Sequence, residues 1–294
     1  MNIPAPSRPK TCVVVSYWNG RPASKLHRLL AEMRKVDPGA PFDLVVVCNG
    51  GDKAPLRLPA RFDDLRPRVL DRENVGFNIA AWEHGWRADP GYDYFLFLQD
   101  DCYLKRASWL SGFESRFELD PGIGLLGELV AYDQMSWDYV RKVFYTTFWA
   151  DPSEWTEPAH PIDTYRALFA RRGIPWSDLA NHLPSIILFS SRRILEEVGG
   201  FPYFGPSYRE AIAGEFAISR LVESRGYRIS KVTDYPFDLI GHPQWASNGK
   251  AREPGLKGRL YEAYWKSRAR IRRWIGPKRK GGRTEIAPAA DRRG

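Results

Sequence analysis

Four short segments with the character of strands, three of them runs of apolar residues and each closed by a polar turn, constrain the fold of this chain more than any other feature. They span residues 11–18 (TCVVVSYW), 42–51 (FDLVVVCNGG), 66–74 (RPRVLDREN) and 92–101 (YDYFLFLQDD). Segments with helical periodicity lie between them, at 24–35 and 78–88. Continuous apolar strands that alternate with helices are typical of parallel strands covered on both faces. The sequence therefore predicts an α/β fold with a mainly parallel, Rossmann-like sheet flanked by helices.

The rest of the chain is less regular but continues the same pattern. It contains a candidate strand at 122–131, a helix at 163–173, a strand leading into a short helix over 183–200, and a helix followed by a strand over 210–232. We expect a disordered N-terminus at 1–10 and one domain over 11–249. Residues 250–294 are expected to form a basic amphipathic helix and a disordered tail.

The polar turns after the four runs are expected to meet. In an open parallel sheet, ligands bind beyond the carboxyl ends of the strands, so the loops SYWNG, CNGGD, DRENVGFN and QDDC would share one rim. Asp100 and Asp101 stand at the mouth of a buried strand, where an unpaired charge is costly. A divalent cation would offset that cost, since Mg²⁺ and Mn²⁺ prefer hard oxygen ligands. The alternative is a strand-ending turn with solvated side chains.

The order of these motifs resembles the family 2 glycosyltransferases, nucleotide-sugar-dependent enzymes of GT-A fold. The matching segments are SYWNG, CNGGD, RENVGFNIA, FLQDDCYL, and GGFPYFG with GEFAISRLVESRGYRI. They cover about residues 11–245. The stretch RENVGFNIAAWEHG is also similar to rhamnan-synthesis-type relatives that build bacterial surface polysaccharides.

The resemblance implies a nucleotide-diphosphate sugar as donor. The residues it implies for substrate binding are Ser16, Tyr17, Asn19, Asn49, Arg72, Asn74, Gly76 and Asp100. Arg72 and Asn74 either contact the ligand or pair structurally, since a guanidinium suits a phosphate and a carboxylate equally. Gly76 allows close backbone approach.

The strand-end motif departs from the family pattern at its first position. Gln99 stands where the family has an acidic residue, while Asp101 matches the final metal-binding Asp and Asp100 the variable middle position. The resemblance therefore implies a Mn²⁺ or Mg²⁺ site at Asp101 with help from Asp100. His242, after the last predicted strand, is either a third ligand or a structural histidine.

The late acidic motif departs as well. The family commonly has Glu-Asp, with the second residue proposed to deprotonate the acceptor hydroxyl, whereas this chain has Glu215-Phe216. Either Glu215 serves as the base, Glu210 takes its place, or the base is lost. The resemblance implies an inverting reaction, which needs such a carboxylate.

Charge is concentrated at the C-terminal end. Residues 250–294 carry 15 Lys and Arg against 4 Asp and Glu, whereas residues 1–249 have a net charge of −2. The aromatic and basic stretch 256–280 is expected to lie on an anionic membrane surface; the alternative is that it packs on the domain. A nucleic-acid partner is not expected, because the rest of the chain is slightly acidic and has no nucleic-acid-binding motif.

Three widely spaced cysteines, the absence of a signal-peptide pattern and the absence of an apolar run of membrane-spanning length predict a cytoplasmic protein. Attachment through 250–294 would make it peripheral on the inner face of the membrane.

The function expected from the sequence is metal-dependent glycosyl transfer to a saccharide or lipid-linked acceptor in surface polysaccharide synthesis. The rivals are a sugar-nucleotide binding protein that has lost catalysis and, with less support, a nucleotidyltransferase.

Overall fold

The computed structural model describes residues 10–51, 54–143 and 160–243, and these form an α/β fold. Its strands are β1 (Thr11–Trp18), β2 (Phe42–Asn49), β3 (Arg68–Arg72), β4 (Tyr94–Gln99), β5 (Tyr103–Leu104), β6 (Ile123–Gly127), β7 (Ile187–Ser191), β8 (Arg228–Lys231) and β9 (Ile240–Gly241). Its helices are α1 (Ser24–Met33), α2 (Phe77–Arg87), α3 (Ser111–Leu119), α4 (Trp137–Val143), α5 (Pro161–Arg172), α6 (Arg192–Val198) and α7 (Tyr208–Ser224), with a 3₁₀ turn at Ala60–Leu65.

Seven strands form the central sheet, in the order β3-β2-β1-β4-β7-β6-β8. The neighbours among β3, β2, β1 and β4 pair in parallel, as do β6 and β8, whereas β7 runs antiparallel to both β4 and β6. The short strands β5 and β9 form a separate antiparallel pair. The predicted class, a mainly parallel sheet flanked by helices, is confirmed.

The core explains why these runs become strands and helices. The central residues of β1, β2 and β4 are fully buried, as the continuous apolar runs predict. Helix α1 buries Leu26, Leu29, Leu30 and Met33, which recur at helical spacing. Helix α2 lies so close to β1 that a Cβ on Gly85 would stand 2.4 Å from Val14 Cγ1. This close packing holds the C-terminal half of α2 against β1.

The predicted elements agree with the structure apart from end residues, and several elements were missed. Helices α3 and α4 and the pair β5 and β9 were not predicted, and the reversed direction of β7 was not foreseen. In the part of the chain that the structure describes, no helix combines the length and apolar character needed to cross a bilayer. The predicted basic helix and tail at 250–294, like the predicted N-terminus, lie outside the described residues, residue 10 excepted.

Candidate active site at the strand ends

The carboxyl ends of the four adjacent parallel strands meet at one edge of the sheet. Trp18 is level with Asn49, Asn49 with Arg72, and Ser16 with Gln99. A cavity of about 300 Å³ opens there, which we call the strand-end cavity. It is lined by Ser16, Tyr17, Trp18, Arg21, Asn49, Asn74, Phe77, Asn78, Gln99 and Asp100. Five of the eight residues expected to bind substrate therefore line one cavity.

The other three border it without lining it. Asn19 donates its amide to Ala54 O at 2.8 Å. Arg72 donates from Nη1 to Asn49 Oδ1 at 2.7 Å and faces a different cavity. Gly76 precedes α2 with φ +78°, and a Cβ there would stand 2.5 Å from that of Ala80. Their contacts support the structural alternative for Arg72 and close packing for Gly76.

Asn49 connects the strand ends to α2. Its side chain is 3% exposed, accepts from Arg72 and donates Nδ2 to Phe77 O at 2.9 Å. Phe77 has a left-handed φ of +54°, and its ring is exposed to the cavity. This bond therefore holds the first residue of α2, with its aromatic ring, at the edge of the strand-end cavity.

The two acidic residues are buried and held by cations from the segment before and within α1. Arg21 Nη2 pairs with Asp100 Oδ1, and Lys25 Nζ lies 3.0 Å from Asp101 Oδ2. Arg28 donates to the Asp101 carbonyl at 2.8 Å. Arg21 precedes α1, whereas Lys25 and Arg28, three residues apart, lie on one face of that helix. This side of the rim therefore presents three cations to one acidic pair.

The two neighbouring carboxyl groups are shifted in opposite directions. Burial raises the pKa of Asp100, and Arg21 only partly offsets this. Burial also acts to raise the pKa of Asp101, but the hydrogen bond from His242, with Lys25, outweighs it and holds that pKa well below its usual range. The surroundings therefore favour the ionised form of Asp101 more strongly than that of Asp100.

A divalent cation fits this donor set in part. His242 Nε2 lies 2.9 Å from Asp101 Oδ1, so one imidazole and one carboxylate converge. Asp100 Oδ2 is buried and has no hydrogen-bond partner, which leaves a hard oxygen unsatisfied one residue away. Among the described residues, however, no three His, Cys, Asp or Glu side chains form a ligand group. The residues fit a cation that takes its other ligands from a diphosphate and water.

A second cavity, of about 210 Å³, adjoins the first and is called here the helix-side cavity. It is lined by Phe77, Asn78, Gln99, Pro184, Ser185, Ile186, Tyr208, Ala211, Ile212, Glu215 and His242. Phe77, Asn78 and Gln99 line both cavities and form their shared wall. The two cavities are therefore neighbours on either side of this wall.

Glu215 projects from α7 into the helix-side cavity and is strongly hydrogen-bonded. Its Oε2 accepts from Ser185 N at 2.7 Å and from Ser185 Oγ at 2.6 Å, and its Oε1 lies 3.2 Å from His182 Nε2. Burial alone would raise the pKa of Glu215, but the bonds from His182 and Ser185 outweigh it and lower the pKa. Glu215, whose side chain is 15% exposed, is therefore a carboxylate that stays ionised.

Gln99 connects the acidic pair to Glu215 through Ser185. Gln99 Nε2 donates to Ser185 O at 2.8 Å, and Asn78 Nδ2 donates to the same carbonyl. An aspartate at position 99 could not donate this bond. The departure from the family pattern thus places an amide where a donor is needed.

Glu210 lies outside the residues that line either cavity. Its carboxylate accepts from Ser207 N at 3.0 Å, while Ser207 Oγ accepts from Glu210 N at 3.2 Å. This reciprocal pair is a capping box at the start of α7. Its contacts are those of a helix cap, and they favour Glu215 as the base.

Several residues of the site were not foreseen from sequence. Lys25 and Arg28 carried a usable signal, since cations three residues apart face the same side of a helix, whereas Arg21 precedes α1 and carried none. His182 and Ser185 lie in an irregular segment, ANHLPS, with no recognisable motif. They become part of the site because β7 runs antiparallel to β4, which brings the start of β7 beside Gln99.

No family model matches the chain, and no curated protein matches it. Among solved structures it is similar to the mannosyltransferase PcManGT from Pyrobaculum calidifontis in complex with GDP-Man and Mn²⁺, with 15% identity, a TM-score of 0.46, and coverage of 78% of this chain and 56% of that one. It is also similar to TarS from S. aureus, with 15% identity, a TM-score of 0.43, and coverage of 77% of this chain and 36% of that one.

A shorter form of TarS, residues 1–349, aligns with 15% identity and a TM-score of 0.44, over 77% of this chain and 59% of that one. The chain thus spans less than two thirds of the length of each of these proteins. At TM-scores below 0.5, such likenesses do not decide what the chain does. Its activity has to be inferred from its own side chains.

Proposed function

We propose that the protein is a glycosyltransferase that moves a sugar from a nucleoside-diphosphate donor to a hydroxyl of a saccharide or lipid-linked acceptor. One observation carries the proposal. Two cavities share the wall of Phe77, Asn78 and Gln99; one borders the acidic pair and its cations, and the other contains an ionised carboxylate. Transfer between two substrates needs two adjoining sites with these two kinds of group.

The strand-end cavity is the proposed donor site. Trp18 and Phe77 expose their aromatic rings there, and Asn49 and Asn74 add polar groups. Arg21 lines the same cavity and brings positive charge beside Asp100. Aromatic faces suit a nucleobase, and a guanidinium suits a diphosphate.

Asp101 and His242 are the residues that would hold a divalent cation, either Mn²⁺ or Mg²⁺. When bound, such an ion would supply positive charge to the departing diphosphate. Arg21 and Lys25 lie on the same side and add their own charge, so the leaving group would meet a strongly cationic environment.

Glu215 is the proposed general base in the helix-side cavity. As an ionised carboxylate it can take the proton of the acceptor hydroxyl while that oxygen attacks the anomeric carbon. Gln99 and Asn78, through Ser185, fix the position of the base relative to the donor cavity. Direct attack by the acceptor would invert the anomeric configuration, as the resemblance implies.

The test is a binding and turnover experiment on the whole chain. UDP, GDP, dTDP, ADP and CDP are screened by thermal shift with and without Mn²⁺, on wild type and on Asp101→Ala. We expect one nucleotide to raise the melting temperature in a Mn²⁺-dependent way, and Asp101→Ala to abolish that rise. Release of the same nucleotide from its sugar conjugate, measured with simple glycosides as acceptors, then tests transfer. Binding of none of the five would refute the proposal; binding without turnover would favour the catalytically impaired binding protein.

A further inference from the structure

The segment 180–185, which carries His182 and Ser185, is held in place from two sides. The backbone of His182 exchanges hydrogen bonds with Ala131, at 2.8 and 3.1 Å. Leu183 N donates to Ser219 Oγ on α7 at 3.1 Å, and Arg220 donates to Asn181 O. The imidazole of His182 is 3% exposed and packs with its ring centroid 3.8 Å from that of Phe216. Its position beside Glu215 is therefore fixed by the fold.

Both ring nitrogens of His182 face hydrogen-bond acceptors. Nδ1 lies 3.1 Å from Ala180 O, and Nε2 lies 3.2 Å from Glu215 Oε1. A carbonyl oxygen can only accept, and so can an ionised carboxylate. A neutral imidazole has one N–H and would leave one of these contacts without a proton. The pair must therefore carry an additional proton, on either His182 or Glu215.

The surroundings of Glu215 decide where that proton lies. Ser185 donates twice to Oε2, and donors favour the ionised form of a carboxylate. Burial works against ionisation, yet the bonds from His182 and Ser185 outweigh it, so the pKa of Glu215 is lowered. An imidazolium beside a carboxylate satisfies all four contacts of the pair, two made by His182 and two by Ser185. A neutral imidazole beside a carboxylic acid accepts the donors of Ser185 less well.

On the basis of the proposed function, we propose that His182 is a positioning residue that, as an imidazolium, keeps Glu215 ionised and directs its Oε1 toward the acceptor hydroxyl. Oε2 is occupied by the two donors of Ser185, so Oε1 is the oxygen with a lone pair left for the acceptor. His182 binds that same oxygen and therefore sets its orientation.

The proton balance of the step is as follows. The acceptor O–H bond breaks as its oxygen bonds to the anomeric carbon, and the proton passes to Glu215 Oε1. The bond from the anomeric carbon to the diphosphate oxygen breaks, and its electron pair leaves with the diphosphate. The pair of His182 and Glu215 is neutral overall before the step and then carries one positive charge. The negative charge of the diphosphate leaving group balances it.

The other ionisable groups that face this pair come from three elements. Tyr132, after β6, has its ring centroid 5.5 Å from that of His182. Burial, and to a smaller extent the charge of Glu215, raises the pKa of Tyr132 to about 12. Tyr208, at the start of α7, and His242, after β9, line the helix-side cavity with Glu215. Because Tyr132 stays neutral in the working range, it does not obscure the titration of the pair.

The first arm of the test measures the proton state directly and needs no turnover. The chain has five histidines, which can be labelled with ¹⁵N and assigned with His182→Gln. Long-range ¹H–¹⁵N correlation at pH 7 is expected to show both nitrogens of His182 protonated. A neutral tautomer, with one unprotonated nitrogen at His182, would overturn the proposal.

The second arm compares pH profiles of donor turnover in wild type, His182→Gln and His84→Gln. Glutamine retains an N–H donor but not the charge, and His84 is an exposed histidine that lines neither of the two cavities. In His182→Gln the acid limb of kcat should move upward by one pH unit or more, so activity falls more at pH 6 than at pH 8.5. His84→Gln should stay within about twofold of wild type. An equal loss for His182→Gln at every pH would contradict the proposal.

The two arms separate this proposal from the proposed function. If wild type turned over no donor, glycosyl transfer would be refuted, while the ¹⁵N measurement would still decide whether His182 is an imidazolium. If turnover were normal and His182 neutral, the proposal of glycosyl transfer would be supported and the proposed role of His182 would be refuted.

Discussion

The two cavities that meet at Phe77, Asn78 and Gln99 hold their carboxylates in different ways. In the strand-end region, Asp100 and Asp101 are held by the long side chains of Arg21 and Lys25, which are 36% and 45% exposed. In the helix-side cavity, Glu215 is held by a backbone N–H, a serine hydroxyl and a buried imidazole. Long exposed cations can move to meet a diphosphate, whereas short buried donors cannot. The difference matches a binding role on one side and a proton-transfer role on the other.

The largest effect is expected from replacing Glu215, and it is the strongest test of this comparison. Glu215→Gln keeps the shape of the side chain but removes the proton acceptor, so turnover should fall by about 10² to 10⁴-fold. Nucleotide binding should be unchanged, because Glu215 does not line the strand-end cavity. Donor turnover and the thermal shift with nucleotide, measured on the same preparation, check both parts.

Glu210→Gln is the matched variant, since the two glutamates lie on the same helix. Glutamine can complete the capping box as glutamate does, and only the negative charge near the start of α7 is lost, so the free energy of unfolding should fall by less than about 1 kcal/mol. Turnover should stay within a few-fold of wild type. A larger loss of turnover in Glu210→Gln than in Glu215→Gln would mean that Glu210, and not Glu215, is the general base.

The sequence predicted the strand-end region better than the helix-side cavity, for a physical reason. Parallel strands bring their carboxyl ends to one edge, so Asn49, Asn74 and Asp100 could be grouped from their place after each strand. The partners of Glu215 come from the segment 180–185, whose position depends on the antiparallel pairing of β7 with β4. A local pattern does not encode that direction, and His182 was therefore missed.

A further carboxylate, the buried Glu128, sharpens the comparison because no cation holds it among the described residues. It accepts from the backbone N–H groups of Asp238, Leu239 and Ile240, at 2.8, 3.2 and 2.7 Å. Burial outweighs these bonds and raises its pKa to about 7. Asp101 and Glu215, each beside a histidine, are shifted in the opposite direction. A neighbouring histidine therefore separates Asp101 and Glu215 from Glu128, and also from Asp100, whose pKa is raised although Arg21 pairs with it.

Glu128 should make stability depend on pH. A carboxyl group whose pKa is higher in the folded than in the unfolded protein makes its full contribution to stability at pH values below the pKa of the unfolded state. This contribution is lost as the pH rises through about 7. The loss between pH 4.5 and pH 7.5 should be about 3 kcal/mol. Urea unfolding of wild type and Glu128→Gln across this range measures it, as the difference in slope. Parallel slopes in the two proteins would show that Glu128 ionises normally.

Replacing Arg21 tests how a cation holds a carboxylate in the strand-end region. Arg21→Gln removes the one hydrogen-bond partner that the Asp100 carboxylate has among the described residues. The Asp100 side chain is 3% exposed. Leaving this group unpaired should cost about 2 kcal/mol in the free energy of unfolding. Asp100→Asn in the same background removes the buried charge and should restore more than half of the loss. Urea unfolding of the two single variants, the double variant and wild type forms the cycle that measures this coupling.

Lys25→Met is the smallest of these changes and the control for Arg21→Gln. The Lys25 ammonium lies 3.0 Å from Asp101, but its side chain is 45% exposed and Asp101 keeps a second partner in His242. An exposed ion pair contributes less than about 1 kcal/mol, and methionine preserves the apolar stem of the side chain. The free energy of unfolding should therefore change little, while the affinity for a nucleoside diphosphate, measured by calorimetry, should fall several-fold at low salt and less at high salt. A large loss of stability with unchanged affinity would mean that Lys25 is a structural partner of Asp101 and that this cation does not move to meet the diphosphate.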